Sequence, residues 1–168
     1  MPTTQDLILR KARFTDWQAM YRNVWSRPES FCYMVLELTT TESAAQDRIR
    51  RTIEFQKDRH AYFVCLKSTD EAIGFTGIAP LEGDVWEETG ICLGPDFWGR
   101  GYGWQVLQSL LDLARELGAK TFVYSSWEEN EASRALAAKA GFEQYDAERH
   151  TRARDGREYV LLKFRKAL

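Results

Sequence analysis

The chain has few of the residues that would mark a cross-linked or metal-bound protein. Its three cysteines, Cys32, Cys65 and Cys92, are odd in number and scattered, which suits buried reduced thiols better than a disulfide framework. Two histidines, His60 and His150, lie far apart and give zinc no motif. No apolar run approaches the length needed to cross a bilayer. The opening Met1-Pro2-Thr3-Thr4-Gln5-Asp6 lacks the basic and apolar parts of a signal peptide. These absences lead us to expect a cytoplasmic protein without a metal. Net charge is also missing: at −2 nothing global attracts nucleic acid or an acidic membrane, so any phosphate affinity must be local. The basic clusters Arg48-Ile49-Arg50-Arg51 and Arg149 to Arg154 are interrupted by other residues and read as solvated faces. Repeats, linkers and low-complexity tracts are absent. With 168 residues, 44% apolar and 29% charged, one domain spanning 1–168 is expected.

What is present is a legible order of elements. Leu7 to Arg10 reads as a strand, and Thr15 as the N-cap of a helix whose Trp17, Met20, Tyr21, Val24 and Trp25 form one apolar stripe. Thr39 to Ser43 offers caps for a second helix carrying Ala45, Ile49 and Ile53. Arg27 to Leu38 is not legible. Ala61 to Leu66 and Ala72 to Ile78 form a hairpin, and a third strand runs from Val85 to Leu93. Period-two alternation places Trp86, Glu88, Gly90 and Cys92 on one of its faces. A helix with Val106, Leu110, Leu113 and Leu117 closes at Gly118, a strand covers Thr121 to Ser126, and Asn130 caps an alanine-rich helix ending at Gly141. Two last strands, about Phe142 to Arg152 and Glu158 to Phe164, join through the turn Asp155-Gly156. The order predicts an α+β, or mixed α/β, fold with one parallel crossover.

Inside that crossover lies Trp98-Gly99-Arg100-Gly101-Tyr102-Gly103. Glycines at alternate positions let backbone N–H groups converge, and a helix N-terminus adds free donors and partial positive charge. Such a loop suits a phosphate. It is not a Rossmann loop, because it follows about the fourth strand behind an antiparallel meander. It is not a Walker loop either, since Gly103-Trp104-Gln105 supplies no lysine and no hydroxyl for magnesium.

In this setting the chain resembles the GCN5-related N-acetyltransferases, and within them the branch typified by bacterial acetyltransferases of ribosomal-protein N-termini. Gly94 to Gly103 is similar to that branch's acetyl-CoA loop, Asn130-Glu131-Ala132-Ser133 with Lys139-Ala140-Gly141-Phe142 to its second signature, and Glu88-Thr89-Gly90 to its Glu-x-Gly strand. The resemblance covers about Leu7 to Lys163. It implies a mostly antiparallel sheet of six to seven strands, splayed between the fourth and fifth and flanked by about four helices. It also implies acetyl-CoA as cosubstrate, with the pyrophosphate on the backbone of Trp98, Gly99, Arg100, Gly101, Tyr102 and Gly103. The pantetheine arm would lie along Ile91, Cys92 and Leu93. A homodimer is compatible with the family and the aromatic content.

The roles implied for single residues each stand beside a plainer reading. Glu88 is the candidate base, or an ordinary strand residue like Glu87. A backbone N–H near Ile91 or Cys92 would face the developing oxyanion, and Ser133 the departing sulfur. Asn130 would orient the pantetheine or a water, yet Asn130 and Ser133 also suit plain helix capping. Cys92 near a thioester raises an acyl-cysteine route, against which stands a small buried strand residue with no histidine partner. Trp98 fits the branch but departs from the polar residue of the wider superfamily, Trp104 stands where the branch has a small hydroxyl residue, and Lys139 either approaches the nucleotide or is solvated. The expected activity is direct acetyl transfer to a primary amine in a ternary complex, with a protein or peptide N-terminal amine as leading acceptor. A small amine, such as an aminoglycoside, polyamine or amino-acid derivative, is the enzymatic alternative. A silent acyl-CoA-binding regulatory module is the alternative of another class.

Overall fold

A computed structural model describes all 168 residues. In chain order the elements are β1 (Leu7–Arg10), α1 (Trp17–Met20), α2 (Glu42–Gln56), β2 (His60–Leu66), β3 (Ala72–Pro80), β4 (Val85–Leu93), α3 (Tyr102–Glu116), β5 (Thr121–Trp127), α4 (Glu131–Lys139), β6 (Glu143–Thr151) and β7 (Glu158–Ala167). All seven strands form one sheet in the order β1-β2-β3-β4-β5-β7-β6. Only β4 and β5 pair in parallel, and α3 is the crossover that joins them. No helix is long and apolar enough to cross a membrane.

Each face of the sheet carries its own core. On one side α3 and α4 bury Val106, Leu107, Leu110, Leu111, Ala114 and Ala137 against Ile73, Ile78, Phe122 and Phe164. On the other, the α1 segment and α2 bury Met20, Val24, Trp25, Ala45 and Ile49 against Phe63 and Cys65. At about 1.5–3 kcal/mol for each large side chain buried, this double cover outweighs local preferences along the chain. Helix α3 ends in a Schellman closure, with Gly118 left-handed and Ala119 N–H bonded to Ala114 O at 2.9 Å. Thr41 caps α2, its hydroxyl accepting from Ala44 N–H at 3.1 Å.

Three expectations need correction. Thr15 is not an N-cap. A 3-10 turn over Phe14–Asp16 precedes α1, and Asp16 holds the entry instead, accepting Arg13 N–H at 2.7 Å while Arg10 grips it at 2.8 Å. A carboxylate buried beside a guanidinium outcompetes a solvated hydroxyl for that place. The predicted helix also does not stay α-helical: Tyr21–Trp25 is a π turn, closed by Ser26 N–H on Tyr21 O at 3.1 Å. Arg152, read as part of a solvated face, is 5% exposed. The irregular backbone after the 3-10 turn Pro28–Phe31 leaves carbonyls without ladder partners. Arg152 donates to Phe31 O, Cys32 O and Met34 O at 3.1–3.3 Å, and Arg154 adds bonds to Phe31 O and Leu36 O.

Candidate active site

The site is made where β4 departs from its neighbours. Ile78 of β3 opposes Glu88 and Thr76 opposes Ile91, so β4 carries one residue more than β3 across this stretch. The extra residue is absorbed at a bulge where Gly90 adopts φ +133° and Thr76 Oγ1 donates to Gly90 O at 2.8 Å. A side chain at residue 90 would be strained by that backbone angle although the space is open. The bulge also shifts the phase of the strand. Trp86 packs with Ile91 and Leu93 toward the α3 core, whereas Cys92 packs into the opposite core, so simple alternation misplaces Cys92.

The parallel pairing of β4 with β5 runs from Val85–Thr121 to Glu87–Val123 and stops. Beyond it the two strands part, leaving the edges of Glu88–Leu93 and Tyr124–Trp127 facing a gap. A cavity of about 480 Å³ fills this gap, lined by Glu87 to Ile91, by Tyr124 to Trp127 and by Asn130 and Ser133. Tyr33 to Leu36, Phe75, Tyr159 and Leu161 continue its wall.

Glu88 lines this space, its carboxyl group buried between β4 and β5. Oε1 accepts from Ser125 N–H at 3.2 Å, while Oε2 is buried with no partner. The residue as a whole keeps some exposure, but Oε2 has none. Burial pushes its pKa up from 4.5 to about 7, against the bonded N–H of Ser125 and the nearby N–H of Gly90 and with help from the charge of Glu87. A group so placed changes protonation near neutral pH, as a proton acceptor must.

Across the cavity stands Tyr124, whose hydroxyl lies 2.6 Å from Ser133 Oγ. Burial, and then the charge of Glu88, push the phenol above its usual range, so it remains a proton donor. Ser133 in turn gives its N–H to Asn130 Oδ1 at 3.2 Å, which makes Asn130 the N-cap of α4 while both residues line the cavity. Tyr124 escaped the sequence reading. Its only signal is its position on β5, two residues after the core residue Phe122 and on the same face.

The glycine loop lies at the C-terminal end of β4. Gly99 and Gly101 adopt φ +72° and +77°, and Gly101 is the N-cap of α3, so Tyr102 and Gly103 occupy its first turn with the free amides of a helix start. Trp98 is half-exposed, its indole N–H donating to Leu93 O at 2.8 Å, which ties the loop to the end of β4. Arg100 reaches Asp96 O at 3.1 Å. Lys139 lies 4.1 Å over the ring of Trp104, a cation–π contact joining α4 to α3. The Cys92 thiol faces Ser30 O at 3.5 Å on the far side of the sheet, and burial pushes it up to about 12. It is neutral at physiological pH and packed away from the gap. The structure thus brings Glu88, Ile91, Asn130 and Ser133 to one cavity, with Leu93 and the loop Trp98–Gly103 continuing from its β4 wall.

Comparison with known proteins agrees with this geometry. Residues 6–143 match the Acetyltransferase (GNAT) domain. The chain belongs to the GNAT acetyltransferase family. An uncharacterised N-acetyltransferase of Bacillus licheniformis, p20, is 30% identical over 112 residues, which is 65% of this chain and 62% of that relative. A GNAT-family acetyltransferase of Bacillus anthracis superposes with a TM-score of 0.82 at 17% identity, covering 98% of this chain and 96% of its own. A Salmonella typhimurium enzyme that modifies the N-terminal serine of ribosomal protein L7/L12 gives 0.77 at 18% identity, covering 98% and 96%. A second Salmonella typhimurium protein, solved with its cofactor acetyl-CoA, gives 0.71 at 18% identity, covering 96% and 94%. At these identities the solved structures establish the fold alone, and in this chain its single parallel pair is β4 with β5.

Proposed function

We propose that this protein is an N-acetyltransferase that uses acetyl-CoA and acts on a primary amine, with a peptide or protein N-terminal α-amine as the leading acceptor. The observation that carries the reading is the unpartnered Oε2 of Glu88, buried at a gap between two open strand edges. The surrounding residues fit acetyl-CoA. The backbone of Trp98 to Gly103 turns through two left-handed glycines into a helix start, and no side chain crowds either glycine. The free edge of Ile91, Cys92 and Leu93 offers strand-like pairing to an amide-bearing arm, and Asn130 and Ser133 stand opposite. When bound, acetyl-CoA supplies a thioester carbonyl and a thiol leaving group.

The chain's own groups then divide the work. Glu88 Oε2 takes the proton that the amine must lose, directly or through one water. A backbone N–H of Ile91 or Cys92 donates to the oxygen where charge develops. Tyr124, held by Ser133, delivers a proton toward the sulfur; Ser133 therefore acts through the phenol as well as by its own hydroxyl. The Salmonella typhimurium enzyme that modifies a ribosomal protein N-terminus shares the fold and supports a peptide acceptor here.

Release of CoA thiol, measured across N-terminal peptides and small amines, tests the reading. We expect peptide turnover, and for Glu88→Gln a fall of roughly 10²–10⁴-fold in kcat with CoA affinity retained. Turnover of small amines alone moves the acceptor class. No thiol release from any acceptor leaves an acyl-CoA-binding module.

A further inference from the structure

The cavity contains a second carboxylate for which proton transfer has no use. Glu87 and Glu88 are neighbours on β4 and point to opposite faces of the sheet, yet both line the same cavity. They do so because pairing with β5 ends at Glu87, and the gap opens from there. Glu87 is half-buried, has no ion-pair partner, and is partly stripped of water. The cation that influences it, Lys163 on β7, is already committed to Glu148 at 2.7 Å.

The rest of the lining offers Glu87 no relief. No lysine or arginine lines the cavity. The arginines around its mouth are taken, Arg152 by Asp155 at 2.7 Å and Arg157 by Glu129 at 2.5 Å. What the lining does contain is aromatic: Tyr33, Phe75, Tyr159 and Trp127, the last two stacked at 3.7 Å. A partly desolvated carboxylate beside aromatic walls is chemistry that selects an organic cation. The buried, unpartnered Oε2 of Glu88 independently marks the same space as a ligand site.

We infer that Glu87 is a specificity residue that binds a second cationic group, ammonium or guanidinium, carried by the acceptor beside the amine to be acetylated. The inference rests on reading this cavity as the amine site. Glu88 gains the proton from the reacting nitrogen and ends neutral; Glu87 takes no part in that transfer and holds the cation that does not react. The second charge has two sources with the same chemistry, a lysine or arginine near the start of a peptide or the far end of a short diamine.

Matched acceptor pairs separate these outcomes. Thiol release is followed with a peptide bearing lysine at its second position against the same peptide with norleucine, and with 1,4-diaminobutane against butylamine. For the protein as it stands we expect the cationic member to be favoured about tenfold in kcat/KM, chiefly through KM, with the favoured pair naming the source. In Glu87→Gln that ratio falls to about one. Equal rates within both pairs for the unaltered protein, or a ratio that survives Glu87→Gln, overturn the inference. If no amine is turned over, the acetyl-transfer reading fails separately. Calorimetry of both pairs then still reads the cation site: in at least one pair the cationic member binds about tenfold more tightly than its match and loses that advantage in Glu87→Gln, or the site does not exist.

Discussion

Replacing Glu88 by glutamine removes one ionisable group and almost no volume, so its effect on stability isolates the cost of keeping that carboxylate charged. Raising the group from 4.5 to about 7 makes its ionisation in the folded protein cost about 3 kcal/mol relative to the unfolded chain. The sign follows from proton counting. Below pH 4.5 both states hold the proton and the two proteins differ least. Between pH 4.5 and 7 the unfolded chain releases its proton while the folded one retains it, so the unaltered protein loses stability relative to the variant as pH rises. Above about 7 both states are ionised and the difference levels off. Glutamine can still accept from Ser125 N–H, although its amide adds donors that the cavity must hydrate, so a net gain of about 1–3 kcal/mol at pH 8 is expected. Urea unfolding of both proteins at pH 4.5, 5.5, 6.5 and 8 measures it. The same group should give kcat/KM a rise through pH of about 7, because only the ionised form accepts a proton. A stability difference that stays flat from pH 5 to 8 refutes the buried-carboxylate argument.

Tyr124→Phe keeps the ring packed on Phe142 and Phe164 but removes the hydroxyl that meets Ser133; kcat should fall roughly 10- to 100-fold with the melting temperature little changed. Gly101→Val places a β-branched residue at φ +77°, at a cost of about 1–2 kcal/mol, and CoA affinity measured by calorimetry should fall about tenfold. Gly103→Ala is the contrast, since its new methyl group would meet only Leu136 at an ordinary 3.7 Å and affinity should be kept. Asp16→Ala leaves the buried Arg10 guanidinium with Asp70 as its remaining carboxylate, and thermal unfolding should show a loss of about 3 kcal/mol.

The legible parts of this chain are those whose signals are local. The apolar spacing of Val106 and Leu110 on α3, a cap within Thr39 to Ser43, the cap Asn130, the turn at Asp155-Gly156 and the glycine loop each follow from residues a few positions apart, whereas Leu117, in the same apolar spacing, ends exposed. Less legible was whatever depends on a distant partner. The segment after Phe31 has no pattern of its own because its carbonyls are satisfied by Arg152 and Arg154, more than a hundred residues away. The start of the first helix was misplaced because Asp16 is held by Arg10 and, through Arg10, joined to Asp70. Tyr124 passed as an ordinary strand residue, since nothing near it in sequence announces Ser133 or Glu88 as neighbours.

The sequence alone determined the order of elements, the single crossover, the glycine loop at its centre and hence the family to which the chain is similar. Periodicity, caps and turns act over one or two turns of chain, and they are written in composition and spacing. Tertiary structure decided the chemistry of the gap. The point at which β4 leaves β5, one residue after Glu87, turns two adjacent glutamates on opposite faces into walls of one cavity. The bulge at Gly90 sends Cys92 away from the gap, into the far core. Burial gives Glu88 its pKa of about 7. Each of these depends on what is excluded from a space, water above all, and exclusion is a property of the packed molecule.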